Sequence, residues 1–133
     1  MKIVLDWPSP LLSPNARAHH RVVAPIKAAA RENAAKATWA AANAQVRAAV
    51  ASGVGRIELT VRFYPPDKRH RDDDNMVASF KSARDGIADG LNVNDRRFRA
   101  QYIVADAEPP GKIEVILSSP QKGRSPNPDW IAP

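Results

Sequence analysis

Polar and apolar residues alternate strictly between positions 57 and 64, and this is the clearest structural pattern in the chain. The apolar members of the pattern are Ile57, Leu59, Val61 and Phe63. A period of two predicts a β-strand with one face in the core, and the Pro65-Pro66 pair that follows would end the strand. The pattern therefore predicts a strand over residues 57–64 that anchors a sheet.

Weaker patterns predict the remaining elements, in the order β-α-β-α-β-β. We expect strands over residues 2–5, 98–106 and 112–117, and helices over residues 25–51 and 75–91. Pro25 suits the first turn of the long alanine-rich helix, and a stripe that includes Trp39 predicts its buried face. The prediction is one small α+β domain over residues 1–118 with a mixed sheet and two helices. The Pro- and Ser-rich tail, residues 119–133, is expected to be disordered.

Composition narrows the class of partner. The chain has 20 Lys and Arg against 14 Asp and Glu, a net charge of +6, which favours an anionic partner, with nucleic acid first and an acidic membrane surface second. The absence of Cys excludes disulfides, thiolate metal sites and a thiol nucleophile. With no signal peptide or membrane span visible, we expect a soluble cytoplasmic protein. Because much of the apolar content is Ala, the core should be thin, which favours a second subunit.

The stretch before the second predicted helix carries the candidate chemistry. Basic residues at positions 68–71 directly precede three adjacent carboxylates, Asp72, Asp73 and Asp74. Adjacent carboxylates repel one another unless a cation lies between them, and carboxylate oxygens suit Mg²⁺ or Mn²⁺. In an extended segment Asp72 and Asp74 would point to the same side. The run predicts either a divalent metal site or, more simply, a helix start with Asp74 as its N-cap.

Two further positions could complete such a site. Lys81 shares a helix side with Asp74 and precedes Asp85 by four residues, so it lies either beside the metal or in a surface ion pair with Asp85. Farther along the chain, Asp95 is followed by Arg96 and Arg97, so that an acid again stands against basic residues.

These residues resemble the RusA family of Holliday junction resolvases, which are often encoded in bacteriophage and prophage genomes. The matching segments are Arg71-Asp72-Asp73-Asp74-Asn75, the helix with Lys81 and Asp85, Leu91-Asn92-Val93-Asn94-Asp95, and the opening Trp7-Pro8-Ser9-Pro10 with Asn15 and Arg17. Together they cover most of residues 3–117. The resemblance implies a homodimer that binds four-way DNA junctions and makes paired symmetric nicks with Mg²⁺. By position, the metal would be held by Asp72, Asp74 and Asp95.

Some positions depart from the family pattern. Lys81 would take the role of the family's lysine although it stands one turn later, where the strict match is Ala78. Asp73 stands where the family commonly has an apolar residue, and Asn94 stands where a second acid often precedes the catalytic one. Neither departure removes a required ligand.

The expected function is therefore that of a Mg²⁺-dependent endodeoxyribonuclease which resolves Holliday junctions in recombination and repair, with no small-molecule cofactor. The predicted DNA contacts are Lys68, Arg69, His70, Arg71, Arg17, Arg21, Arg96 and Arg97. A non-catalytic basic nucleic-acid-binding module is the alternative, in which the acids cap the helix. Flaps, forks or RNA also remain open as substrates.

Overall fold

The alternating segment forms strand β2 (Ile57–Tyr64), and its apolar side chains are all buried. In the computed structural model, which describes residues 1–51 and 55–118, β2 lies parallel to β3 (Phe98–Val104) and antiparallel to β4 (Lys112–Ser118). The other side of β4 pairs antiparallel with β1 (Lys2–Asp6), so the strand order is β1-β4-β2-β3. This mixed sheet confirms the predicted α+β class. The predicted tail, residues 119–133, lies outside the described residues.

Four α-helices connect the strands within the described residues, where two were predicted. They are α1 (His20–Ala41), α2 (Ala44–Ala51), α3 (Asp73–Ser79) and α4 (Lys81–Leu91). Short 3₁₀ turns cover Pro10–Leu12, Pro14–Ala16 and Asp95–Arg97. No helix in the described part of the chain is long and apolar enough to cross a membrane.

The predicted helix over residues 25–51 was wrong at its start and in its middle. The imidazole of His19 accepts a hydrogen bond from the Arg21 amide and caps α1 well before Pro25, which lies inside the helix. Ala42 is extended and ends α1, and the side chain of Asn43 then accepts a bond from the Val46 amide at 2.8 Å. Side-chain caps that compete with the helical backbone therefore set both boundaries.

The buried face of α1 also differs from the predicted one. Ala34 and Thr38 are fully buried, whereas Trp39 is 61% exposed. The guanidinium carbon of Arg47 lies 3.5 Å from the centre of the Trp39 ring, and Arg47 donates a hydrogen bond to the Trp39 carbonyl. Small residues face the core here because α1 packs directly against Gly86 of α4, leaving no room for an indole.

Aromatic rings attach the helices to one edge of the sheet. The Phe80 ring lies 6.2 Å from both Phe63 and Tyr102, and the Trp7 ring lies 6.3 Å from Phe63. Strands β1 and β2 both end at this edge, since Lys112 of β4 pairs with the last residue of each. We call this end of the sheet, where β1 and β2 finish, the C-terminal edge, as distinct from the outer strands β1 and β3. The candidate site lies beside it.

Glu114 lies on the opposite sheet face from the core. It is only 9% exposed, yet its carboxylate lies 3.6 Å from the Lys2 ammonium and 3.4 Å from that of Lys112. The Tyr64 hydroxyl also donates to it at 3.3 Å. Burial raises the pKa of Glu114, but the two lysines and the hydroxyl outweigh burial and hold the pKa below its usual value.

We expect Glu114→Gln to lower the free energy of unfolding by about 1 kcal/mol at pH 7. A pKa that is lower in the folded state gives stability above the unfolded-state pKa and loses it as the pH falls through the folded-state pKa. Urea unfolding should therefore show a smaller difference in the free energy of unfolding between Glu114→Gln and wild type at pH 3 than at pH 7. Glu58→Gln, on an exposed residue of the same sheet face, is the control. An equal loss at both pH values would contradict the prediction.

Candidate metal and nucleic-acid site

Asp72 and Asp74 lie together at the start of α3. The Oδ1 atom of Asp72 accepts hydrogen bonds from the amides of Asp74 and Asn75, at 2.8 and 3.4 Å. Asp72 is therefore the N-cap, and the prediction that gave this role to Asp74 was wrong. Asp73 and Asp74 occupy the first turn, where the helix dipole favours acids, and all three carboxylates are exposed. Local backbone chemistry thus accounts for their placement without a metal.

The loop before α3 is organised by Arg71. Its Nη1 atom donates to the Asp67 and Arg69 carbonyls, at 3.2 and 3.0 Å, and lies 2.9 Å from Oδ1 of Asp67. The pKa of Asp67 is lowered by this bond from Arg71 and by a second from the Arg69 amide. The Arg71 side chain is 15% exposed, and its guanidinium carbon lies 5.7 Å from the centre of the Trp7 ring. Arg71 therefore serves chiefly as a structural bridge.

The other basic residues of this loop are accessible to a ligand. Lys68, Arg69 and His70 are exposed. A cleft of about 830 Å³ separates the loop and α3 from residues 7–16, which we call the N-terminal segment. Its lining includes Trp7, Asn15, Arg69, His70, Arg71 and Asp72. We call it the Asp72 cleft. It brings a carboxylate and several cationic side chains to one surface at the C-terminal edge.

Lys81 lies outside this cleft. The helix is interrupted at Phe80, and Lys81 begins α4, where its ammonium lies 3.0 and 3.2 Å from the two carboxylate oxygens of Asp85. The ion pair predicted as the alternative for Lys81 is therefore confirmed. The catalytic role of Lys81 stays a prediction. The Lys81 side chain borders a second cleft, together with Arg17 and His20.

Asp95 lies at the other end of the sheet from Asp72 and Asp74. It begins a 3₁₀ turn that leads directly into β3, and β3 starts beside the first residue of β2. The paired parallel strands extend over about 20 Å between the two ends. Within the described residues, no three His, Cys, Asp or Glu side chains are placed to hold a metal ion together. A single chain therefore does not gather Asp72, Asp74 and Asp95.

The remaining predicted contacts fall into two groups. Arg17 and Arg21 are exposed near the start of α1, and Arg96 is exposed beside Asp95. Arg97 instead binds the chain itself, because it donates to the Val50 carbonyl at 2.7 Å and the Gly55 carbonyl at 3.2 Å. These hydrogen bonds link α2 to the 3₁₀ turn that precedes β3, so Arg97 has at least partly a structural role.

Sequence reasoning missed Lys27, a basic position that the structure brings to the second cleft. Lys27 lies there with His20, and both residues are exposed on α1. They stand seven residues apart, which places them on one helix face once the helix is known to begin at His20. Recognition of His19 as an N-cap would have provided that signal.

Comparison with known proteins adds little to this geometry. No protein-family model matches the chain. A relative from Xylella fastidiosa (strain Temecula1 / ATCC 700964), described as an uncharacterized protein, is 41% identical over 108 residues. The match covers 78% of this chain and 66% of the relative, so the relative is substantially longer than the matched region.

Proposed function

We propose that the protein is a Mg²⁺-dependent endodeoxyribonuclease that resolves Holliday junctions by paired symmetric nicks in recombination and repair. The observation that carries the proposal is the Asp72 cleft, where the exposed carboxylate of Asp72 lies beside the exposed basic side chains of Arg69 and His70. Cations that face the phosphate backbone supply affinity, and carboxylates can hold a metal ion against the same phosphate. Such a protein would act in the cytoplasm, on the nucleoid of a bacterial or phage-infected cell.

The metal site requires a second subunit if Asp95 is to take part. Strand β3 is an edge strand of the sheet, and its last residue, Val104, is 44% exposed. Antiparallel pairing of β3 with its copy across a two-fold axis would place the start of one β3 beside the end of the other. Asp95 of the partner subunit would then approach the C-terminal edge that carries Asp72 and Asp74. The proposed homodimer thus supplies the ligand that one chain lacks.

In this arrangement, Asp72 and Asp74 of one subunit would hold Mg²⁺ together with Asp95 of the other. The bound ion would lower the pKa of a coordinated water and neutralise charge that develops on the phosphate. Lys68, Arg69 and His70 would hold backbone phosphates on either side of the scissile bond, which positions the strand without reading its bases. Two such sites related by the two-fold axis match the approximate two-fold symmetry of a four-way junction.

Nicking of a synthetic four-way junction tests the proposal. The wild type is expected to nick the junction with Mg²⁺ and not with a chelator, whereas Asp74→Asn should lose at least about 100-fold in rate. Asp73→Asn removes the same charge from the same helical turn and is the matched control, which should retain activity. Equal rates for wild type and Asp74→Asn would reject the metal site.

A non-catalytic nucleic-acid-binding module is the second candidate, and one observation favours it. Capping and the helix dipole already account for the three adjacent acids of α3. This candidate requires junction binding that is unchanged by chelator and no strand cleavage under any divalent ion. Competition among junction, flap, fork and RNA ligands would separate the possible substrates.

A further inference from the structure

The second cleft lies between the start of α1 and the start of α4 and has a volume of about 680 Å³. Its charged or ionisable lining residues are Arg17, His20, Lys27, Lys81 and Asp85. We call it the Lys27 cleft. Its lining contains none of Asp72, Asp74 and Asp95, so it is distinct from the proposed metal site.

The charge of the Lys27 cleft is strongly unbalanced. Arg17, Lys27 and Lys81 are basic, and the single carboxylate of the lining, Asp85, is already engaged by the Lys81 ammonium. The four basic side chains are all exposed rather than buried. An exposed set of cations suits a polyanion that gains affinity from many weak contacts, rather than a small anion that needs an enclosed pocket.

The Lys27 cleft is continuous with the Asp72 cleft. Ser13 of the N-terminal segment and Ser79 of α3 line both clefts. Basic side chains therefore extend from Arg69 and His70, across these two serines, to Lys27 on α1. A polyanion bound at the Asp72 cleft can therefore continue along this surface to the basic side chains of the Lys27 cleft.

We propose that the Lys27 cleft binds backbone phosphates of the same nucleic acid that enters the Asp72 cleft, beyond the strand that is cut. This inference rests on the proposed function. Within it, Lys81 is a phosphate contact of the Lys27 cleft, and Asp85 limits the affinity by neutralising Lys81. Lys27 and His20 are further contacts of this cleft.

Salt-dependent binding of a synthetic four-way DNA junction, measured with Ca²⁺ in place of Mg²⁺, tests the inference. Lys27→Ala should weaken binding and lower the slope of log affinity against log salt by about 0.9, the loss of one phosphate contact. Lys36→Ala is the matched control, because it removes the same charge from an exposed position of α1 outside both clefts. It should leave the slope unchanged.

Asp85→Asn provides a test that damage to the fold cannot imitate. The substitution keeps the shape of the side chain and releases the Lys81 ammonium, so junction affinity should increase and the salt slope should steepen. If Lys27→Ala behaves like Lys36→Ala, or if Asp85→Asn fails to tighten binding, the Lys27 cleft is not a contact although the wild type still binds. If the wild type itself does not bind the junction, the proposed function and this inference both fail.

Discussion

Two inactive variants, Asp74→Asn and Asp95→Asn, are expected to restore nicking when they form mixed dimers. In such a dimer the intact Asp72 and Asp74 of the Asp95→Asn chain meet the intact Asp95 of the Asp74→Asn chain. One complete site results, and the other site carries both substitutions. Each variant alone has no complete site and should lose at least about 100-fold in rate, since a metal ion supplies several kcal/mol of charge stabilisation.

The geometry of the chain is the reason for this expectation. Asp72 and Asp74 follow β2, and Asp95 precedes β3, while β2 and β3 are parallel and about 20 Å long. The proposed pairing of two chains with opposed β3 strands would bring the two ends together. The substrate is a supercoiled plasmid that extrudes a cruciform, and co-expression of differently tagged variants provides the mixed dimers. A mixed dimer has one active site and should yield nicked plasmid, whereas the wild type yields linear plasmid.

A second pair of variants is the control. Asp72→Asn and Asp74→Asn remove ligands from the same end of the sheet, so no mixed dimer of these two chains contains a complete site. Their mixture should remain as inactive as either variant alone. Inactivity of the Asp74→Asn and Asp95→Asn mixture, in the presence of demonstrated mixed dimers and an active wild type, would contradict a site shared between subunits.

Local patterns made the sheet predictable. Strand β2 alternates between buried and more accessible residues along its length, and the alternation of apolar and polar residues alone specifies which face meets the core. The helices were harder because alanine, which favours a helix, recurs throughout residues 25–51 and obscures where a helix begins or ends. The boundaries of α1 and α2 depend on single side chains, His19 and Asn43, that bond to nearby amides. Helix propensities of single residues do not account for such side-chain hydrogen bonds.

The candidate site was predictable only where its residues are neighbours in the chain. Asp72 and Asp74 share one helical turn, so their proximity followed from sequence. The proximity of Asp95 was a long-range expectation taken from the family resemblance. A helix that connects two parallel strands must return the chain to the end where the first strand began. By that rule, a residue that follows β2 and a residue that precedes β3 lie at opposite ends of the sheet.

Gly86→Ala is expected to lower the free energy of unfolding by about 3 kcal/mol, the upper part of the usual range for overpacking. A Cβ atom at position 86 would lie 2.1 Å from the Arg31 carbonyl oxygen and 2.9 Å from Cβ of Ala34. The first of these atoms is backbone, so relief requires α1 to move away from α4. Helix propensity alone would predict a gain of about 1 kcal/mol for the same substitution, so the two effects have opposite signs.

Urea unfolding of Gly86→Ala, Gly90→Ala and wild type checks this prediction. Gly90 is also close to α1, but its nearest contact would be at 2.8 Å, so the loss should be smaller than at Gly86. Ala28→Gly, on an exposed position of α1, calibrates the propensity difference in this protein. Because α1 carries Lys27 and α4 carries Lys81, displacement of the two helices in Gly86→Ala should also weaken junction binding at the Lys27 cleft. A Gly86→Ala variant that unfolds at higher urea than wild type would show that α1 and α4 are not in close contact.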